Sequence, residues 1–94
     1  MILSTSSSTL SASGAVVTRP CIFHGMILNG AGAAATATLN DNKAAASGIV
    51  IEKVQAAAAT TFSSRQGSPV ECSNGLYLTL SGAGAEAIVY YSLL

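Results

Sequence analysis

The side chains able to do chemistry are few: one histidine, His24, two cysteines, Cys21 and Cys72, and four acidic residues, Asp41, Glu52, Glu71 and Glu86, in 94 residues. A structural zinc site takes four ligands, and His24 with both cysteines leaves that set incomplete. Serines are abundant, but a nucleophilic serine needs a positioned base and a partner that orients the base. His24 is the sole candidate base, and no Gly-x-Ser-x-Gly elbow occurs. Asp41 between Asn40 and Asn42 lacks the alternating acidic positions and distant glutamate of a calcium loop, so it reads as a polar turn. Gly30-Ala-Gly32 and Gly82-Ala-Gly84 precede no helix carrying Lys or a further Gly where a phosphate cradle needs it, and read as hairpin turns. These patterns predict no catalytic residue, no metal, no cofactor and no small-molecule substrate, and point to a structural or binding module; a hydrolase using His24 is the minor alternative.

Three tyrosines, Tyr77, Tyr90 and Tyr91, fall on neighbouring predicted strands, where flat rings either stack on a sugar or pack a sheet. Because interface energy concentrates in a few large anchors, Phe23, Phe62, Tyr77, Tyr90 and Tyr91 are the expected contact residues, or the residues that hold contact loops in place. Cys21 and Cys72 can bridge if they lie on facing strands. The start of the chain lacks a basic region and a long apolar run, which favours reduced, buried thiols.

Composition narrows the partners. Charged residues make up 9% of the chain, net charge is zero and mean hydropathy is +0.53. Four scattered basic residues make no surface for nucleic acid. No stretch approaches the ~20 apolar residues of a membrane helix. A charge-poor surface resists self-association badly, so assembly is expected, most simply as a closed homotrimer.

The elements that must position these residues are strands. Leu76, Leu78 and Leu80 alternate with Tyr77, Thr79 and Ser81, a turn follows at residues 82–84, and residues 85–91 form a second run; the pattern predicts an antiparallel hairpin. Residues 15–18 begin a strand that Pro20 breaks. Residues 21–28 are apolar on both faces, with Cys21, Phe23 and Ile27 on one and Ile22, Met26 and Leu28 on the other, so cover on both sides is expected. Residues 33–39 alternate with Thr36 and Thr38 outward. Alanine-rich 44–59 leaves a helix open on propensity, but Gly48 and the β-branched residues 49–51 favour strands at 49–54 and 60–63. Residues 65–69 read as a loop and 70–72 as a short strand. Residues 1–14, rich in Ser and Thr over 4–13, read as a flexible or partner-ordered arm. The fold class is therefore all-β: a compact two-sheet antiparallel β-sandwich or jelly roll spanning residues 15–94 as a single domain.

At Ser73-Asn74-Gly75-Leu76-Tyr77-Leu78, followed by Ser81-Gly-Ala-Gly-Ala85 and Ala87-Ile-Val-Tyr-Tyr91, the chain resembles small β-sandwich virion proteins of tailed bacteriophages. The upstream order of strand, Asn29-Gly30 turn, alternating strand, Asn-Asp loop and Ser-Gly-Ile-Val-Ile strand is similar too, so the likeness spans about residues 20–91. The resemblance implies a capsid decoration or cement protein, made in the host cytoplasm and bound as a homotrimer to the major capsid protein on the virion surface. The alternative it leaves is a tail, fibre or baseplate module that binds a receptor or glycan. It implies no catalytic residues.

Overall fold

A computed structural model describes residues 6–94, with Ser6 and residues 65–69 described by their backbone alone. Eight strands follow one another: β1 (Ser6–Leu10), β2 (Gly14–Val17), β3 (Cys21–Asn29), β4 (Ala35–Asn40), β5 (Val50–Ala56), β6 (Thr61–Cys72), β7 (Leu76–Ser81) and β8 (Glu86–Leu93). They form two four-stranded sheets, ordered β1-β8-β3-β6 and β2-β7-β4-β5, and every pairing is antiparallel. Apart from β4 and β5, consecutive strands lie in opposite sheets, so the chain winds back and forth across the sandwich as a jelly roll.

This winding corrects two local expectations. β7 and β8 do not form a hairpin, and neither do β3 and β4 across the Asn29-Gly30 turn, since each pair is split between the sheets. Period-two alternation assigns a residue to a face and leaves its partner strand undetermined. A short connection rich in glycine suits a corner between layers about 10 Å apart as well as a hairpin. The turn itself stands where expected, closed by the Ala85 amide donating to the Gly82 carbonyl at 3.2 Å.

Between the sheets lies a thin core. Phe23, Met26, Leu28, Leu39, Leu76, Leu78 and Val89 are fully buried, and Ala35, Ala37, Ala85 and Ala87 fill positions between them. Each large side chain removed from water contributes roughly 1.5–3 kcal/mol. Thr36 and Thr38 face outward, as their alternation with buried Ala35, Ala37 and Leu39 requires.

The strand expected to need cover on both faces resolves differently. Phe23 pairs with Tyr91 and Gly25 with Tyr90, which leaves His24 as an extra residue in a β-bulge. The bulge shifts the phase of the strand, so Cys21, Phe23, Met26 and Leu28 all point into one core. Gly25, at φ 153°, supplies the backbone conformation there. The ladder to β6 is interrupted at the same level, where pairing passes from Phe23↔Val70 to Gly25↔Arg65. The expected separate strands at 60–63 and 70–72 thus become one long edge strand with an irregular middle, and the expected loop at 65–69 lies inside it.

The segment read as an arm also differs. Residues 6–10 pair with β8 throughout, from Ser6↔Tyr91 to Leu10↔Ala87, and residues 1–5 lie outside the described residues. Backbone pairing on the edge of a sheet needs no apolar side chains, and Leu10 supplies a contact with the core. The alanine-rich stretch is not helical: 44–46 are bends, 58–59 a turn, and β5 lies between them.

Candidate functional site

The two outer faces of the sandwich differ in chemistry. On the β2-β7-β4-β5 sheet, outward positions include Thr36, Thr38, Thr79, Lys53 and Gln55, with Thr38 opposite both Lys53 and Thr79. That face is polar. On the other sheet, Ile27 sits directly opposite Ile88, Ile22 opposite Ser92, and Gly25 opposite Tyr90. Ile22, Ile27, Ile88 and Tyr90 are half-buried and take no part in the core between the sheets. They form an apolar centre on an outward face. Ser7 opposite Tyr90, Thr9 opposite Ile88, and Ser63 opposite Ile27 supply an exposed hydroxyl rim. The exposed Glu71 opposite Ile22 adds a carboxylate to that rim, and an apolar centre with a polar margin is the anatomy of a protein interface. The molecule measures 41 × 26 × 17 Å. A broad face of roughly 1,000 Å² accommodates the ~800 Å² per partner of a standard interface.

His24 lies on this face, its Nε2 2.7 Å from Ser92 Oγ, so the bulge places the lone histidine over a serine 68 residues away in sequence. Such a contact could suggest a nucleophile and its base. Ser92 is only 1% exposed, however, and offers its hydroxyl no approach to a substrate. The bond satisfies a buried hydroxyl and ties β3 to β8.

The residues expected to anchor contacts scatter. Phe23 is fully buried in the chain's own core and supports the fold from within, so it leaves the contact set. Phe62, 45% exposed, lies on edge strand β6 opposite Leu28. Tyr77 is outward on one sheet, between buried Leu76 and Leu78, while Tyr90 is outward on the other. Tyr91 packs against the core. The three rings therefore occupy three environments and do not make one stacking platform. Of the expected anchors, Tyr90 joins the apolar centre.

The connections at the β2–β3, β4–β5 and β6–β7 end carry a second arrangement. Asp41, 8% exposed, accepts hydrogen bonds through Oδ1 from the amides of Asn74 (2.9 Å) and Gly75 (3.3 Å), and through Oδ2 from the Ser73 amide (3.3 Å) and hydroxyl (3.4 Å). Gly75 has φ 149°, and a Cβ there would run into the Val17 carbonyl. Asn42 closes its own loop, accepting from the Ala44 and Ala45 amides and donating to Ser47. The Asn40-Asp41-Asn42 turn is thus a clasp between the sandwich's connections. Its signal in sequence is an acidic residue in one turn and a Ser-Asn-Gly turn elsewhere, with nothing local to join them.

Beside the clasp, Cys21 on β3 stands directly opposite Cys72 on β6; both are free and fully buried. Burial pushes the Cys72 thiol up to about 12, with the neighbouring Cys21 and Asp41 adding to the rise. Burial also raises Cys21, opposed by a hydrogen bond from Cys72 and reinforced by Asp41.

At the same end Ile49 is 70% exposed and Val50 55%, positions that the sequence pattern placed only as the start of a strand. Among the described residues no three of His, Cys, Asp and Glu converge as metal ligands. No family model, no curated protein and no solved structure matches the chain.

Proposed function

We propose that this protein is a non-enzymatic virion component of a tailed phage, a capsid decoration protein that lies on the assembled lattice of the major capsid protein and stiffens the shell. The observation that carries the reading is the outer face of the β1-β8-β3-β6 sheet, where Ile22, Ile27, Ile88 and Tyr90 form an apolar centre inside a hydroxyl rim. Jelly-roll sandwiches serve viral capsids and lectins alike, so the architecture supports the reading by analogy alone. The strand and turn motifs over about residues 20–91 add the resemblance to phage virion sandwiches. A charge-poor surface favours assembly, and a closed ring of three copies on the lattice is the form proposed.

Binding only to the assembled lattice stabilises it by linkage, because the disassembled state lacks the site. Heads prepared with and without the protein are compared by the temperature at which DNA is released. The expected result is a higher release temperature at saturating occupancy, lost when Ile27→Thr and Ile88→Thr are combined. Equal release temperatures remove the cementing role, and failure to bind heads removes the capsid as partner. Sedimentation tests the trimer: a monomer at micromolar concentration overturns it.

A further inference from the structure

We infer that Cys21 and Cys72 form a latent cross-strand staple, a site of intramolecular disulfide formation that fastens edge strand β6 to central strand β3. Geometry carries this. The two residues are direct partners in the antiparallel ladder, and both are fully buried in the core. Opposed residues in an antiparallel pair have Cα atoms about 4.5 or 5.5 Å apart, and either spacing lies within the ~4.4–6.8 Å range of disulfides. Oxidation therefore asks for no change of register.

The same site explains why the pair is reduced yet ready. Neither sulfur is exposed, and burial with the Asp41 carboxylate nearby disfavours the thiolate that must attack. Access comes through β6, which has a neighbour on one side alone and whose pairing to β3 is interrupted midway. With oxidised glutathione as the oxidant, one cysteine thiolate attacks a glutathione sulfur while β6 is open, releasing one glutathione thiolate and forming a mixed disulfide. The second cysteine, deprotonated, then displaces the other glutathione. The Cys21–Cys72 bond forms, the two cysteine protons pass to the two departing glutathione thiolates, and one glutathione disulfide is thereby reduced to two thiols. Reclosure of β6 returns the bridge to the core.

The closed bridge spans a loop of about fifty residues and constrains the unfolded chain, which on the chain-entropy account favours the folded state about a thousandfold. The experiment incubates the intact protein with oxidised glutathione at pH 8, with and without low urea, and follows it by intact mass and non-reducing electrophoresis. Its stability is then measured by denaturant titration before and after addition of reductant. The expected product is a monomeric chain lighter by two hydrogens, formed faster in low urea. Its unfolding equilibrium constant falls by a factor of a hundred to a thousand relative to the reduced chain. Cys72→Ser and Cys21→Ser each abolish the mass change and the shift, and the Cys21→Ala/Cys72→Ala double variant checks that the oxidant acts nowhere else. An oxidised chain no more stable than the reduced one overturns the inference, as does a product consisting only of intermolecular or glutathione-capped species. The outcome is independent of capsid binding.

Discussion

Removing the carboxylate of Asp41 should loosen one end of the sandwich without touching its core. In Asp41→Ala, the amides of Ser73, Asn74 and Gly75 and the Ser73 hydroxyl lose their acceptor together. Ser73 and Asn74 are exposed, so water replaces the carboxylate for them and each loss costs a fraction of the ~1.5–3 kcal/mol typical of a bond to a charged group. Gly75 is buried, and its amide, left unpaired, costs about 1–3 kcal/mol. Against this, a mostly buried charge no longer has to be desolvated. The net is a destabilisation of about 2–4 kcal/mol, which for a chain of this size lowers the melting temperature by about 10–25 °C. Asp41→Asn keeps the acceptor for Asn74 and Gly75 but sets an amide donor against Ser73, and should cost about 1–2 kcal/mol. Urea titration gives both values, and hydrogen exchange at Gly75 reports the local loss. An Asp41→Ala change within about 0.5 kcal/mol of wild type would refute the clasp, as surface substitutions fall in that range. So would equal losses in the two variants, because asparagine keeps an acceptor for the Asn74 and Gly75 amides and alanine does not.

Alkaline pH should destabilise the fold through Cys72. Its thiol ionises near 9.0 when unfolded but at about 12 when folded, so the stabilisation is complete below pH 9 and is lost as pH climbs toward 12. The expected slope is about 1.4 kcal/mol per pH unit for this thiol. Denaturant titrations between pH 8 and 10.5 should show a shallower fall in Cys72→Ala than in wild type, and identical slopes would contradict the assignment. Gly75→Ala meets both a left-handed backbone and the Val17 carbonyl, and should cost about 2–4 kcal/mol by thermal melting. Ile27→Thr with Ile88→Thr keeps β-branched side chains on an outward face, so stability should change by less than about 1 kcal/mol while affinity for heads falls at least about tenfold.

Faces were legible in the chain wherever alternation was unbroken: Ala35, Ala37 and Leu39 point inward against Thr36 and Thr38, and Leu76 and Leu78 inward against Tyr77. Partners were not, because the turns at residues 30–34 and 82–85 carry the same glycines whether the chain doubles back within a sheet or crosses to the other. The bulge at His24 was hidden because one extra residue has no local composition, yet it moves Met26 and Leu28 onto the face of Cys21 and Phe23. The apolar outer face depended on that shift. Ile22 and Ile27 differ by an odd number of positions, so strict alternation places them on opposite sides. β1 was obscured for another reason: Ser7, Ser8 and Thr9 contribute backbone more than side chain, and hydrophobic patterning is blind to that. Cys21 and Cys72 were visible as a possible pair, but their opposition depends on the β3–β6 register.

The pairing of the first strand with the last has a kinetic meaning. β1 finds its partner only when β8 has been made, and β3 needs both β6 and β8 beside it, so neither sheet can be completed by local steps. Pairings this distant in sequence place the chain among slow folders, on the millisecond-to-second scale. During synthesis the early, charge-free strands β1 to β4 emerge well before most of their neighbours exist, with Cys21 still accessible before Cys72 is made. The nascent chain is therefore most exposed to mispairing, and Cys21 to exchange with other disulfides, before β8 leaves the ribosome, and expression with slowed elongation should raise the aggregated fraction.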